Sequence, residues 1–197
     1  MSWMQTYTGR KFSLVDPQPE DVDIVDIVAS LGNIVRFNGH CGGNYTVLQH
    51  SVQVAELCNQ EFRFDGLMHD AGEAYYGDIT RPQKIVLNEL SDGRIAEWMK
   101  RIDRVVAIAL GFVFPTPLAV KHFDNVMLAT EARDLMTDSP EPWEELPPPL
   151  PDVLRVWSPQ ESYTRFVRLY HQFRPNSKGT NRCPPYLTRP KSKQKTS

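Results

Sequence analysis

The 197-residue sequence contains no apolar run near the ~20 residues needed to cross a bilayer, which argues against an integral membrane protein. Its first residues, MSWMQTYTGRKF, lack the apolar core of a signal peptide. Only three cysteines are present, Cys41, Cys58 and Cys183, and none belongs to a CxxC pair. These absences argue against a disulfide framework and a zinc–cysteine site, and they predict a cytoplasmic protein.

Acidic residues are absent from residues 175–197, which carry six Lys and Arg side chains. Because the whole chain has a formal charge of −2, the remaining residues carry −8. A body this acidic argues against a specific nucleic-acid partner. The Pro, Ser, Lys and Gln content of the last residues is typical of a disordered segment. We therefore predict one domain over residues 1–174, followed by a basic, disordered tail over residues 175–197.

Apolar residues recur at helical spacing along most of the chain, and no strand–helix alternation supports a parallel sheet. We predict an all-α fold, with one short strand over residues 8–15. Seven of the sixteen prolines lie between positions 140 and 159, which predicts an extended connector. The predicted helices span residues 20–34, 47–58 (capped by Thr46), 64–76, 82–90, 92–110, 118–136 and 160–173.

Four side chains that can bind a metal fall on the predicted inner faces of three of these helices. They are His50, His69, Asp70 and Asp124. Burying such groups without partners costs several kcal/mol each, about 2–7 on transfer scales. One divalent cation would satisfy all four, and a mixed set of two imidazoles and two carboxylates suits Mn, Fe, Co, Ni or Zn.

Each of these residues has a plain structural explanation when it is taken alone. A single buried histidine is more often a core residue than a ligand, and Asp124 alone fits a surface charge. The combination favours a metal site, because one explanation covers all four. Among the other histidines, His122 is predicted to face solvent. His171 is predicted to interact with the helix dipole near the end of the last helix. His40 lies in a Gly-rich loop and is a weaker candidate for substrate or metal contact.

Further ionisable residues follow the His69-Asp70 pair. Glu73 lies three residues after Asp70, so one helix turn brings its carboxylate near the predicted metal, where it can handle protons. Lys84 follows at the start of the next helix, and Arg36 precedes the site at the end of the first. Two cations facing a metal indicate an anionic substrate, with phosphate as the leading candidate.

The pattern His50, His69-Asp70, Asp124 resembles the H…HD…D signature of HD-domain phosphohydrolases. The segments QHSVQVA and HDAGEAYYGDITRPQK resemble the branch that hydrolyses deoxynucleotides, namely YfbR-like 5′-deoxynucleotidases and the phage dATP triphosphohydrolases called DatZ. The resemblance covers residues 31–137, and its most specific part runs from Glu73 to Lys84. It implies an HD-domain helical bundle and a homo-oligomer.

The resemblance also implies roles for individual residues. The H…HD…D residues would hold one divalent metal, and Glu73, with Asp70, would form the catalytic pair. Five further residues would bind the substrate. Arg36 and Lys84 would contact phosphate, Phe37 the sugar in the place of a tryptophan, Asp78 the 3′-hydroxyl, and Pro82 the base.

The resulting functional hypothesis is a deoxynucleotide phosphohydrolase in the cytoplasm, or in the host cytoplasm if the chain is phage-encoded. A dNTP triphosphohydrolase acting first on dATP is favoured by the phage-like N-terminal segment and by Lys84. A dNMP 5′-nucleotidase is the alternative. A hydrolase of a signalling nucleotide and a non-catalytic nucleotide-binding protein are the further alternatives.

Overall fold

The computed structural model of the chain describes residues 2–141, 143 and 145–175. The fold is mostly helical, as the hydrophobic spacing predicts. The predicted tail lies outside the described residues except for Pro175, and so does Cys183. The helices are α1 (Ile24–Leu31), α2 (Val47–Leu57), α3 (Arg63–Met68), α4 (Glu73–Tyr76), α5 (Arg81–Leu90), α6 (Arg94–Leu110), α7 (Leu118–Leu135) and α8 (Pro159–Phe173).

An antiparallel hairpin precedes the helices, formed by β1 (Trp3–Gln5) and β2 (Lys11–Ser13). The sequence predicted a single strand over residues 8–15, so β1 was missed and the observed strand is shorter. Phe12 of β2 is fully buried and stacks on Tyr75 of α4, with ring centroids 3.7 Å apart. The hairpin therefore closes one side of the helical core.

The buried helix α2 lies at the centre of the molecule and packs against α1, α3, α7 and α8. Its close approach to α3 depends on Gly66. A Cβ at that position would lie 2.9 Å from Cys58 Sγ and 3.2 Å from Ala55 Cα. The long apolar side chains along α2 fill the core, where each contributes about 1.5–3 kcal/mol.

Side-chain caps define where several helices begin. Thr46 caps α2 as predicted, since its hydroxyl accepts a hydrogen bond from the Gln49 amide. Asp23 does the same for α1 and Ser158 for α8. At α5, Thr80 and Gln83 form a capping box. The first helix was predicted over residues 20–34. The observed α1 is shorter, because the Asp23 cap fixes its start at Ile24.

The prediction of one continuous third helix over residues 64–76 was wrong. The chain forms α3, passes through hydrogen-bonded turns over residues 69–72, where His69 and Gly72 keep helical dihedral angles, and resumes as α4. Gly77, with φ +87°, then ends α4. The turns at this interruption carry His69 and Asp70.

The proline-rich connector between α7 and α8 forms no helix or strand in its described residues. Hydrogen bonds attach its C-terminal part to α2 and α7. The Gln49 side chain donates to the Arg155 carbonyl at 2.8 Å and accepts from the Trp157 amide at 2.9 Å. Arg133 donates to the carbonyls of Leu150 and Asp152. The connector thus packs along α2 and α7, and α8 follows in the core. Among the described helices, none combines the length and apolarity that a bilayer crossing requires.

Candidate metal centre and cleft

The four predicted metal-binding side chains converge on one point between α2, the 69–72 turn and α7. His50 Nε2 lies 3.1 Å from Asp124 Oδ1 and 3.6 Å from Asp70 Oδ2. His69 Nε2 lies 3.2 Å from Asp70 Oδ2 and 3.8 Å from Asp124 Oδ1. Ligand atoms of His50, His69 and Asp124 all fall within 4.8 Å of one another, so this group could hold a metal ion.

Both histidines point the same nitrogen toward this cluster. The Nδ1 of His50 contacts Glu131 Oε1 at 2.6 Å, and the Nδ1 of His69 contacts the Gly66 carbonyl at 2.8 Å. An oxygen acceptor at Nδ1 assigns the proton to that atom and leaves the Nε2 lone pair for a metal. Neither buried Nε2 has a hydrogen bond of adequate geometry to a described residue. These orphaned nitrogens fit a metal-binding role.

The charges of the cluster stabilise one another. Burial alone would lower the pKa of His69, but Asp70 and Asp124 raise it well above its ordinary value. Burial alone would raise the pKa of Asp124, but the adjacent His50 and His69 imidazoles lower it well below the usual range. The carboxylates are therefore ionised at neutral pH and available as ligands.

Arg36 was predicted to contact phosphate, and its guanidinium is held beside the cluster by Glu131. Arg36 Nε and Nη2 lie 3.1 and 3.0 Å from Glu131 Oε2. The remaining terminal nitrogen, Nη1, lies 3.8 Å from Asp70 Oδ2. Burial alone would lower the pKa of Arg36, but Glu131 and Asp70 raise it above its ordinary value. The arginine therefore brings a fixed positive charge to the edge of the metal site.

Glu73 opens α4 directly after the turn that carries His69 and Asp70, and it is only 4% exposed. Its Oε1 lies 3.5 Å from Lys84 Nζ, and its Oε2 has no hydrogen-bond partner among the described residues. Burial, with the charges of Asp70 and Asp78, raises the pKa of Glu73 well above its ordinary value. A raised pKa favours the protonated form of this carboxyl group, which a general acid requires.

The segment after Arg36 has a strained backbone. Phe37 and Asn38 adopt φ values of +56° and +52°, which residues other than glycine rarely adopt. Asp78 Oδ2 accepts the Phe37 amide at 3.2 Å, and Gln83 accepts from the Asn38 side chain at 2.9 Å. The loop after α4 and the start of α5 therefore hold Phe37 in its position.

A cleft of about 550 Å³ opens above the cluster of candidate metal ligands. This volume falls within the range of small-molecule sites. The rings of Phe37 and Trp143 meet there, with centroids 6.1 Å apart and planes tilted by 57°. Its lining includes the predicted residues Arg36, Phe37, Asp70, Glu73, Asp78, Pro82, Lys84 and Asp124, and also His40.

Every residue that the sequence singled out for this site thus lies in the cleft or in the cluster beneath it. His122 is exposed on α7, as predicted. Sequence reasoning missed Glu131 and Trp143. The signal for Glu131 was its position seven residues after Asp124, which places both on one face of a helix. Trp143 lies in the connector, where spacing gave no signal.

Comparison with known proteins identifies relatives of this chain. YfdR, an uncharacterized protein of Escherichia coli strain K12, is 43% identical over 148 residues, which are 74% of this chain and 79% of YfdR. An uncharacterized protein of Rhodobacter capsulatus is 31% identical over 147 residues, 68% of this chain and 73% of that protein. No protein-family model matches the chain. At this identity and coverage, the chain belongs to the same family as YfdR.

Proposed function

We propose that this member of the YfdR family is an HD-domain phosphohydrolase that acts on deoxyribonucleotides with one divalent metal. The observation that carries the proposal is the convergence of two imidazoles and two carboxylates beneath a cleft with cationic and aromatic walls. The order of these ligands along the chain matches the H…HD…D pattern.

The donor set suits one of Mn, Co, Zn, Fe or Ni, because imidazole nitrogen and carboxylate oxygen are mixed in equal number. Bound there, the ion would supply Lewis-acid activation of water and of a phosphoryl oxygen. His50, His69, Asp70 and Asp124 would hold it. The orphaned Nε2 atoms support this assignment.

The cationic side chains of the cleft are suited to a phosphate chain. Arg36 presents Nη1 beside Asp70, while its other nitrogens are occupied by Glu131. Lys84 is 43% exposed in its side chain and lies on the cleft wall. A substrate phosphate would replace the long contact between Lys84 and Glu73 with a stronger charge-assisted hydrogen bond.

Glu73 is assigned the proton-handling role. Its buried carboxyl group lies beside Lys84 in the cleft lining, and its raised pKa favours the protonated form that a proton donor needs. It would deliver that proton to the oxygen of the leaving deoxynucleoside. Asp70, the second residue of the predicted catalytic pair, would act as a ligand.

The upper part of the cleft is suited to a deoxynucleoside. Phe37 would pack against the sugar, and Asp78 would use its second carboxylate oxygen for the 3′-hydroxyl, since Oδ2 already accepts the Phe37 amide. Pro82 and Trp143 would contact the base. These contacts support a dNTP, dATP first, with a dNMP as the alternative. A homo-oligomer stays a prediction, compatible with the exposed apolar residues Ile85 and Leu90 on α5.

Product analysis by ion-exchange chromatography tests this function. Purified protein is incubated with Mn²⁺, Co²⁺ or Zn²⁺ and with each dNMP, dNTP and rNTP. We expect deoxyadenosine and intact triphosphate from dATP. Glu73→Ala is expected to lower the rate at least ~100-fold, because general acid–base catalysis contributes 10²–10⁴-fold. Glu89→Ala, an exposed glutamate of α5, is the matched control and should retain the full rate.

Each other outcome has a defined meaning. Phosphate released from several dNMPs would identify a 5′-deoxynucleotidase. Turnover of ribonucleotides, combined with inhibition by Phe37→Trp, would favour a signalling nucleotide. No turnover with any of the metals would overturn the deoxynucleotide proposal and leave a signalling nucleotide or a binding role.

A further inference from the structure

The carboxylate of Glu131 joins the two halves of the site. It is fully buried on α7, with 0% exposure. Its Oε1 accepts from Tyr45 at 2.8 Å and contacts His50 Nδ1 at 2.6 Å. Its Oε2 accepts from two nitrogens of Arg36, at 3.1 and 3.0 Å. One side chain therefore contacts both a metal-ligand candidate and the arginine of the cleft.

Helix α7 contacts both nitrogens of the His50 ring. Asp124 and Glu131 are seven residues apart, close to two helix turns, and lie on one face of α7. Asp124 Oδ1 lies 3.1 Å from Nε2, and Glu131 Oε1 lies 2.6 Å from Nδ1. Because two carboxylates of one helix enclose the ring, its orientation is fixed by the position of α7.

We infer that Glu131 is a positioning residue, which sets the tautomer of His50 for metal binding and simultaneously fixes Arg36 for its anion. As a carboxylate it accepts a hydrogen bond from the Nδ1–H group of His50, so that the Nε2 lone pair faces the metal. The same carboxylate neutralises the buried guanidinium. The metal part of the inference stands independently of the proposed function, whereas the anion part rests on it.

The substitution Glu131→Gln tests whether one side chain sets the His50 tautomer and also fixes Arg36. An amide has one acceptor and one donor end. If its oxygen faces Arg36, its NH₂ group faces His50, which must then accept at Nδ1 and lose the Nε2 lone pair. If its oxygen faces His50, its NH₂ group faces the guanidinium and Arg36 is displaced. Either orientation impairs one half of the site.

The experiment measures metal affinity of the full-length, metal-stripped protein by calorimetry with Mn²⁺, Co²⁺ and Zn²⁺, well below the unfolding temperature. We expect Glu131→Gln to weaken binding about 10- to 100-fold, as is typical for partners of metal-ligating histidines. Glu89→Gln is the matched control and should bind as the unaltered chain does. Circular dichroism establishes that each variant is folded.

A second variant keeps the test decisive if Glu131→Gln fails to fold. Glu131→Asp retains the charge opposite Arg36 but withdraws the carboxylate from His50 by one methylene group. We expect it to fold and to bind metal more weakly than the unaltered chain, and its Co²⁺ complex to differ in visible absorption. A merely structural Glu131 would lower thermal stability and leave both properties of the folded protein unchanged.

Two results would overturn the inference. One is that folded Glu131→Gln and Glu131→Asp variants both bind metal with an affinity within twofold of the unaltered chain. The other is an unaltered chain that binds none of the three metals. If the unaltered chain binds metal but hydrolyses no nucleotide, the proposed function fails while this inference stands, so the two failures are distinguishable.

Discussion

Asp103 is a half-buried carboxylate outside the group of candidate metal ligands. It lies on α6 and accepts a hydrogen bond from the Tyr76 hydroxyl at 2.8 Å. Burial raises its pKa to about 6, although the Tyr76 hydrogen bond opposes this rise. Because an unfolded aspartate titrates near pH ~4, the folded state binds the proton more tightly. The resulting stabilisation is full below pH ~4 and is lost as the pH rises through about 6.

We therefore expect Asp103→Asn to raise the free energy of unfolding at pH 8 by on the order of 2–3 kcal/mol, because the desolvated charge is removed. At pH 4 the effect should be small, since the aspartate is then protonated. Urea denaturation of the metal-free protein at both pH values measures this difference. The exposed Asp138→Asn is the control. An equal gain at both pH values would contradict the assignment to protonation.

At the scale of helices, Gly72 allows α4 and α6 to approach each other. It lies in the turn before α4, and a Cβ there would be 1.9 Å from Asp103 Oδ1 and 3.2 Å from the Tyr76 ring. Its φ of −64° is one that any residue can adopt, so the requirement for glycine is steric. The same turn carries His69 and Asp70, and a shift there would move the metal ligands.

Gly72→Ala should destabilise the protein by about 1–3 kcal/mol, the range for overpacking, and should weaken metal binding. Gly42→Ala is the matched control, because a Cβ at Gly42 meets one described atom at 3.4 Å. Thermal unfolding and calorimetric metal titration of both variants provide the measurements. If the two variants behaved alike, close packing at Gly72 would not position the ligands.

The elements themselves were largely predictable, because apolar spacing and capping residues act locally. Thr46, Gly77 and Pro82 each indicated a helix boundary near its observed place. The break between α3 and α4 was missed, since the apolar pattern continues through it. The hairpin partner of β2 was missed because Trp3–Gln5 has no strong alternation of its own.

For the whole molecule, the predicted metal ligands came together because the apolar spacing placed each on an inner face of the fold, although His69 and Asp70 lie in the turn between α3 and α4. Glu131 escaped prediction because its partners, Arg36, Tyr45 and His50, are more than 80 residues away in sequence. Spacing reveals which face a residue occupies. It does not reveal which distant side chain packs against that face.

Metal should stabilise the whole fold. Binding to the folded state alone adds about 2.7 kcal/mol when the free metal is 100 times its dissociation constant. For a chain of this length, that gain corresponds to roughly 5–10 °C in Tm. Differential scanning fluorimetry with Mn²⁺ or Zn²⁺, and after chelation, tests this expectation. His69→Ala should abolish the shift and His122→Ala, an exposed residue of α7, should keep it. A shift retained in His69→Ala would place the metal elsewhere.

The separation between Arg36 and Glu131 also has a consequence for the protein during its synthesis. The two residues of this ion pair are 95 positions apart. At about 5–20 residues per second, the ribosome adds Glu131 roughly 5–20 s after Arg36. Late in that interval the nascent chain contains His50, His69 and Asp70, but it lacks the complete helix that encloses the His50 ring. The candidate metal centre would therefore be completed only once α7 has left the ribosome, and a product truncated before α7 would lack it.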